Sequence, residues 1–429
     1  MLPASSNVKE ELTRKFPELI IVSSWSAAIY LFILFQDLSR WPILQFARVV
    51  SPIKYRDTSW VLADADCHRE IGAGIYGLES DTGCPGYLYG RPLLMTLNLL
   101  RIEKVDTQIF VQVMRVLFAI ALAITVVHLS KKLPQHGYIV ALVLLSPGTQ
   151  LMLYNGNFDL LIFAMVVFGY IAISRNHIVF GLLIIFLSGI FKFYTIPLLL
   201  LMLLIIPKLR YKILTIILFF FACISAIVDL KLMQEPIPSS GYAQFGFNVY
   251  SKYLQQVGFA FTPSIEFIFS IGVFAVSLLI VILLGRRTSL LTFSEIPENF
   301  SIFLLLASVF VACYFTGLSY DPRLIYLTLA GIFLVILLER GYFRSCIFAL
   351  VVWSSLLSCG IELGFIPEGE TGFHPLRLIQ LSNDLAISLI TALFVIVLTR
   401  VFLLSVRILI SQVKNGVVLE RKRFDDRSA

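Results

Sequence analysis

Ionisable side chains are few in this chain, and they gather in a handful of places. Residues 56 to 100 read RDTSWVLADADCHREIGAGIYGLESDTGCPGYLYGRPLLMTLNLL and carry Asp57, then Asp64 and Asp66 in a D-x-D arrangement. YNGNFDLLIF, 154 to 163, sets Asn157 and Asp159 at the mouth of an apolar run. GIFKFYTIP, 189 to 197, holds Lys192 and Tyr194 inside another, and GLSYDPRL, 317 to 324, holds Tyr320, Asp321 and Arg323 at the start of a third. A carboxylate in such a place can take a proton from a hydroxyl nucleophile. A lysine and an arginine can hold a phosphate and stabilise charge that grows on it. The sequence therefore offers Asp64 and Asp66 as catalytic candidates with Asp57 as a third, and Lys192 and Arg323 as phosphate ligands. Asn157, Asp159, Tyr194, Tyr320 and Asp321 are the supporting candidates.

Each candidate also has an ordinary structural explanation. Asp159 could cap the helix beginning at Leu160, and Asp321 the helix beginning at Pro322. Lys192 could snorkel outward, and Tyr194 and Tyr320 could belong to an interfacial aromatic belt. A D-x-D pair is often a solvated loop feature. Arg115, inside an apolar run, is expected to snorkel rather than bind a ligand. What favours a site is convergence: charges at bilayer depth are expensive and usually functional, and these fall on one predicted side.

The elements that must position them are membrane helices. Hydrophobic residues make up 58% of the 429, charged residues only 14%, and there are 36 Phe; mean hydropathy is +0.87. No water-soluble surface absorbs that composition, so the expectation is an all-α, polytopic transmembrane bundle. The net charge of +7 does not indicate nucleic acid, because Lys and Arg lie in short clusters between apolar runs and not on a folded basic domain.

Runs long enough to approach a ~30 Å hydrocarbon core recur from Leu19–Phe35 to Leu385–Thr399. Ile178 to Ile206 is too long for one crossing and is interrupted at Lys192 and Pro197. Treating it as two short helices meeting at Lys192 places SKKLPQH (130 to 136), Arg175, PKLRYK (207 to 212), GRR (285 to 287) and RKR (421 to 423) all on the side of the N-terminal Lys9, Arg14 and Lys15. That satisfies the positive-inside rule and gives about 11–12 spans, with both termini cytoplasmic in a cell inner (cytoplasmic) membrane. A polar stretch precedes the first apolar run and no small-residue cleavage site follows, so that run is expected to be a retained span. The division is a membrane domain over 1–406, with a long first extracytoplasmic loop at 36–107, and a basic tail at 407–429. Within that loop, Pro92 to Leu100 is expected to lie as an interfacial amphipathic helix.

Cys67 and Cys84 share the first loop, and a disulfide between them would pin the aspartate segment in an oxidising compartment. No CxxC or His/Cys ligand cluster is present, and His68 beside Asp66 is the sole metal-like neighbour, so no metal site is expected. A divalent cation is compatible with the acids but not demanded.

An outward carboxylate with cations beside lipid suits sugar transfer from a polyprenyl-phosphate donor, whose chain stays in the bilayer while the acceptor hydroxyl is deprotonated and attacks the anomeric carbon with inversion. SPGTQLMLYNGNFDLLIF (146 to 163), FKFYTIPLLLL (191 to 201) and YFTGLSYDPRLIYL (314 to 327), following a long acidic first loop, resemble the GT-C glycosyltransferase superfamily. The likeness is to the bacterial branch of polyprenol-phosphate-mannose-dependent mannosyltransferases. Gly156, Asn157, Asp159, Lys192, Tyr194, Asp321 and Arg323 match its steps. The resemblance implies many membrane helices, a catalytic aspartate on the first outer loop and no nucleotide-sugar site. It does not choose among Asp57, Asp64 and Asp66, and Pro322 departs from the pattern. The partners implied are a polyprenyl-phosphate sugar donor, a lipid or cell-envelope glycan acceptor and the bilayer. A multi-span transporter or lipid flippase is the alternative, since broken helices with buried charge suit a carrier; a glycan polymerase is a third class, with its largest loop expected late in the chain. The aromatic segment GYAQFGFNVYSKYLQQVGFAF (241 to 261) could hold an acceptor sugar by stacking.

Overall fold

The structure is a computed structural model. It describes residues 6–35, 55–71, 89–130, 132–206, 208–232, 244–256, 262–285, 300–315, 318–320, 323–338, 341–356 and 375–425. In chain order the helices are α1 (Ser6–Phe35), α2 (Arg56–Ile71), α3 (Arg91–Leu99), α4 (Thr107–Leu129), α5 (Leu133–Leu145), α6 (Pro147–Asn155), α7 (Asp159–Ser174), α8 (Ile178–Phe191), α9 (Pro197–Ile205) and α10 (Leu209–Leu232). There follow α11 (Val249–Gln256), α12 (Pro263–Gly285), α13 (Phe300–Phe315), α14 (Leu324–Leu337), α15 (Tyr342–Leu356) and α16 (Pro375–Asp425).

This is a multi-pass membrane architecture. Among the described residues, α1, α4, α10, α12 and α16 contain stretches long and apolar enough to cross a bilayer. The pair α5 and α6 passes the same test together but bends by 62°. α7, α8, α13, α14, α15 and the segment Phe193–Leu203 are shorter apolar helices. If every one crosses, the inventory equals twelve crossings. The short helices α13 and α14 are buried along almost their whole length, while α10 and α12 show large apolar side chains such as Phe220, Phe221, Phe267 and Ile268 to the outside. The apolar core is therefore continuous through the bundle centre, and the long helices form much of its rim.

Local sequence explains the junctions that matter. The bend between α5 and α6 falls at Ser146, which precedes Pro147 and whose hydroxyl caps the new helix by accepting the Thr149 N–H at 3.3 Å. Proline has no N–H and fits the first helical turn, so a fresh start is favoured there. α6 ends on Gly156 at φ +62°, a left-handed conformation that closes helices and that glycine adopts without strain. A Cβ at Gly156 would run into the Val111 and Thr58 side chains. α7 and α8 cross where Gly169 faces Gly181: a Cβ on either would meet the other's carbonyl. Small residues of this kind let membrane helices approach backbone to backbone. The long run does break as expected, with α8 ending at Phe191, Lys192 in extended conformation, a 3-10 turn at Phe193–Thr195 and α9 starting on Pro197.

One feature departs from the all-α expectation. A two-stranded antiparallel ribbon joins β1 (Gln244–Gly246) to β2 (Leu318–Tyr320), pairing Gln244 with Tyr320. The described residues of the first long loop contain α2, α3 and a 3-10 turn at Lys104–Asp106. The last span and the start of the basic tail form one unbroken helix, so position 407 is no boundary in the backbone. The helix foreseen at Pro92 to Leu100 exists as α3, with Leu93, Leu94 and Leu97 buried and Met95 and Leu99 exposed.

Candidate active site

Four segments far apart in sequence meet at one end of the bundle. Asp159, in the first turn of α7 and only 2% exposed, accepts hydrogen bonds at Oδ1 from Lys192 Nζ at 2.6 Å and from the Tyr194 hydroxyl at 2.5 Å. Arg323 Nε lies 3.6 Å from its Oδ2. The Arg323 guanidinium also stacks over the Tyr194 ring at 4.6 Å, and Lys192 Nζ sits over the Tyr89 ring at the same distance. A carboxylate buried this deeply persists only when paired and hydrogen-bonded, and here it has both.

Asp159 does not cap its helix. The N-cap position is Phe158, and Asn157 just before it accepts the Asp159 N–H at Oδ1 at 2.8 Å. The same oxygen receives Lys192 Nζ at 3.3 Å, and its Nδ2 donates to Asp57 Oδ2 at 2.8 Å. The backbone N–H fixes which end of the amide faces which neighbour. Asn157 therefore bridges the first loop to the buried ion cluster.

The docking of α2 explains why Asp57 arrives there. Tyr55 N–H donates to the Tyr154 carbonyl at 3.3 Å, and the Thr58 hydroxyl donates to the Gly156 carbonyl. Both bonds fasten the start of α2 to the turn after α6. Asp57 is half-buried, and burial pushes its carboxyl up to about 6 against the opposing effects of the Asn157 hydrogen bond and the nearby Lys192. Among the described residues it is the aspartate of the first loop that touches the cluster.

Asp64 and Asp66 lie elsewhere. In a helix, residues two apart point to opposite sides, so the D-x-D pair cannot act together once α2 forms. Asp64 is 1% exposed, with His68 Nε2 at 3.6 Å and no hydrogen bond to either carboxyl oxygen among the described residues. Burial pushes it up to about 7. Asp66 faces the other way, accepting from Arg69 at 3.1 Å and from the Lys104 N–H at 2.9 Å. It ties α2 to the turn at 104 to 106. His68 thus neighbours Asp64 and not Asp66. Among the described residues no three His, Cys, Asp or Glu side chains form a metal-ligand group.

Arg115 corrects the expectation that it snorkels. It is 5% exposed, turned inward, donating to the Leu153 carbonyl at 2.5 Å and stacking over Tyr55 at 5.0 Å. It neutralises the free end of α6, where carbonyls lack helical partners. Asp321 lies outside the described residues; Tyr320 is described by its backbone alone, as the end of β2. Cys67 is disulfide-bonded, and Cys84 lies outside the described residues.

Sequence reasoning missed the Tyr89–Gly90 turn. Gly90 N–H donates to the Phe191 carbonyl at 3.1 Å, seating Tyr89 over Lys192. Asp229, near the end of α10 and 2% exposed, accepts the Arg91 N–H at 3.0 Å and anchors the start of α3. The signal available was YGRP: an aromatic and a glycine just ahead of a proline-led helix start.

Asp159, Lys192 and Tyr194 form a closed floor, whereas Asp57, Asn157, Tyr89 and Arg323 remain partly accessible above it. Such an arrangement can accept a proton at Asp57 and present positive charge from Arg323 and Lys192 nearby. Comparison with family models, curated proteins and solved structures finds no match to this chain.

Proposed function

We propose that the chain is an integral-membrane, inverting glycosyltransferase of the GT-C type. It takes a sugar from a polyprenyl-phosphate donor, mannose-type by the resemblance, and passes it to a lipid or cell-envelope glycan at the outer face of the membrane. One observation carries this reading: Asn157 joins a half-buried aspartate of the first loop, Asp57, to a cationic pair, Lys192 and Arg323, gathered around Asp159.

In the proposed reaction Asp57 replaces Asp64 and Asp66 as general base. Its carboxylate takes the proton of the acceptor hydroxyl as that oxygen bonds to the anomeric carbon. The bond from the anomeric carbon to the donor phosphate oxygen breaks, and its electron pair leaves with the polyprenyl phosphate. Lys192 and Arg323 stabilise that negative charge. The proton on Asp57 is then released to water. Asp159 keeps both cations charged and aimed, and Tyr194 and Tyr89 hold them from the sides. No step requires a cofactor.

The test is transfer by purified protein from radiolabelled polyprenyl-phosphate mannose, glucose or arabinose to a membrane lipid extract. Asp57→Asn should lower transfer by about 10²–10⁴-fold, the usual worth of a positioned base, while Asp66→Asn retains it. A protein that transfers none of these sugars, or whose Asp57→Asn variant is fully active, refutes the proposal. The helix break at Lys192 also suits a carrier; a positive solute flux assay with no transfer would establish that second reading.

A further inference from the structure

A second polar group lies against α13 beside the site just described, and the proposed chemistry does not use it. Tyr314 on α13 shares a hydrogen bond with Ser388 on α16 at 2.8 Å, and Ser277 on α12 donates to the same Ser388 oxygen at 3.3 Å. Tyr250 on α11 is 7% exposed; its hydroxyl has no hydrogen bond of good geometry, with Ser388 and Asp384 alongside. Asp384, one turn before Ser388, is 2% exposed and lies close enough to act on both tyrosines.

Hydroxyl contacts between membrane helices are ordinary glue. Glue does not call for a carboxylate at this depth, nor for a buried tyrosine hydroxyl with no well-formed hydrogen bond. Aromatic rings surround the group. Phe247 and Phe274 lie 6.4 and 5.9 Å from the Tyr314 ring. Phe315 and Phe267 continue outward from them at 5.5 and 5.9 Å from Phe247, and these two are exposed. The result is a buried polar floor with an aromatic wall whose outermost rings, Phe267 and Phe315, reach the apolar surface beside α12.

The backbone couples this place to the first site. Phe247 N–H donates to the Tyr314 carbonyl at 2.9 Å, and β1, just before Phe247, pairs with β2, which leads to Arg323. Cys313, the residue before Tyr314, lies beside Arg323. The two polar groups thus lie against neighbouring faces of the same turn of α13.

We propose that Tyr250, Ser277, Tyr314, Asp384 and Ser388 form the floor of a pocket for the saccharide headgroup of a lipid-linked acceptor, whose lipid lies along the exposed face of α12. This rests on the glycosyltransferase reading. A carboxylate and several hydroxyls match sugar hydroxyls, aromatic faces match the apolar faces of a pyranose, and the exposed Phe267 and Ile268 match a lipid chain.

The test uses the full chain in lipid nanodiscs and a panel of tritiated octyl glycosides of mannose, glucose and galactose. At least one should bind saturably, and Asp384→Asn should raise its Kd at least tenfold. Tyr250→Phe, which removes one hydroxyl, should raise it severalfold with thermal stability unchanged; it serves where the aspartate variant fails to fold. Neither variant should alter binding of polyprenyl phosphate. Absence of saturable binding, or unchanged Kd in both folded variants, overturns the pocket. Glycoside binding weakened by the variants, with no sugar transfer from any donor, leaves the pocket standing and removes the enzyme reading. Sugar transfer with an unchanged acceptor KM in both variants removes the pocket and leaves the enzyme.

Discussion

Removing either end of the Lys192–Asp159 pair should destabilise the fold, and unequally. At 2.6 Å for Lys192 and 3.6 Å for Arg323, gross attractions to Asp159 come to about 6 and about 5 kcal/mol at an effective dielectric of about 20. Desolvation takes back several kcal/mol per ion, leaving about 3–5 kcal/mol as the cost of orphaning a buried partner. Lys192→Met leaves Asp159 with Arg323 and the Tyr194 hydroxyl, so its cost should be near the lower figure. Asp159→Leu strands two cations together and should cost near the upper one. The double variant should be milder than the sum by about 2 kcal/mol, within the range of contacting residues. Unfolding in mixed micelles, titrated with denaturing detergent and followed by circular dichroism, measures all three. Additive costs, or a lysine change costlier than the aspartate change, would refute the pairing and with it the account of how the cations are held.

Other outcomes follow from the same geometry. Transfer should fall about tenfold per pH unit below about 6, because Asp57 must lose its proton to act and burial raises its carboxyl to that value; a flat profile from pH 5 to 8 would exclude it as the base. Asp64 has a folded value near 7, raised from 3.8, so the folded chain holds that proton more tightly than the unfolded chain. It should lose stability as pH rises from about 4 to 7, and Asp64→Asn should melt higher than the parent at pH 8 and equally at pH 4. Gly156→Ala should cost about 1–3 kcal/mol through its left-handed backbone and the clash with Val111, and transfer should fall because Asn157 is adjacent; an unchanged melting point would contradict the turn. Arg115→Met should lower the melting point by stripping the Leu153 carbonyl of its donor, which a thermal ramp in detergent would show.

Much of this architecture could be read from hydropathy because membrane helices are specified locally. The break at Lys192 was legible for the same reason: the run is too long for one span, and Pro197 cannot continue a helix. The grouping of Asp159, Lys192, Tyr194 and Arg323 was foreseen only as charges sharing a side. Which first-loop aspartate joins them was not legible. That depends on a helix forming over 56 to 71, which separates Asp64 from Asp66, and on its first turn docking against the Gly156 carbonyl. Arg115 escaped for a related reason, since its partner is a backbone carbonyl 38 residues away and no side-chain pattern records such a bond. Aromatic–hydroxyl surroundings for Asp384 are assembled from four helices and have no short sequence signature.

The shortness of the central helices bears on the lipid around them. With 14 residues in each of α8 and α14, these helices reach about 21 Å, well short of a hydrocarbon slab of about 30 Å. α14 is walled from lipid by its neighbours, so its shortfall is met by protein and not by a thinned bilayer. On the proposed reading, the donor phosphate must therefore pass between the longer rim helices to reach Arg323 while its isoprenoid tail stays among acyl chains.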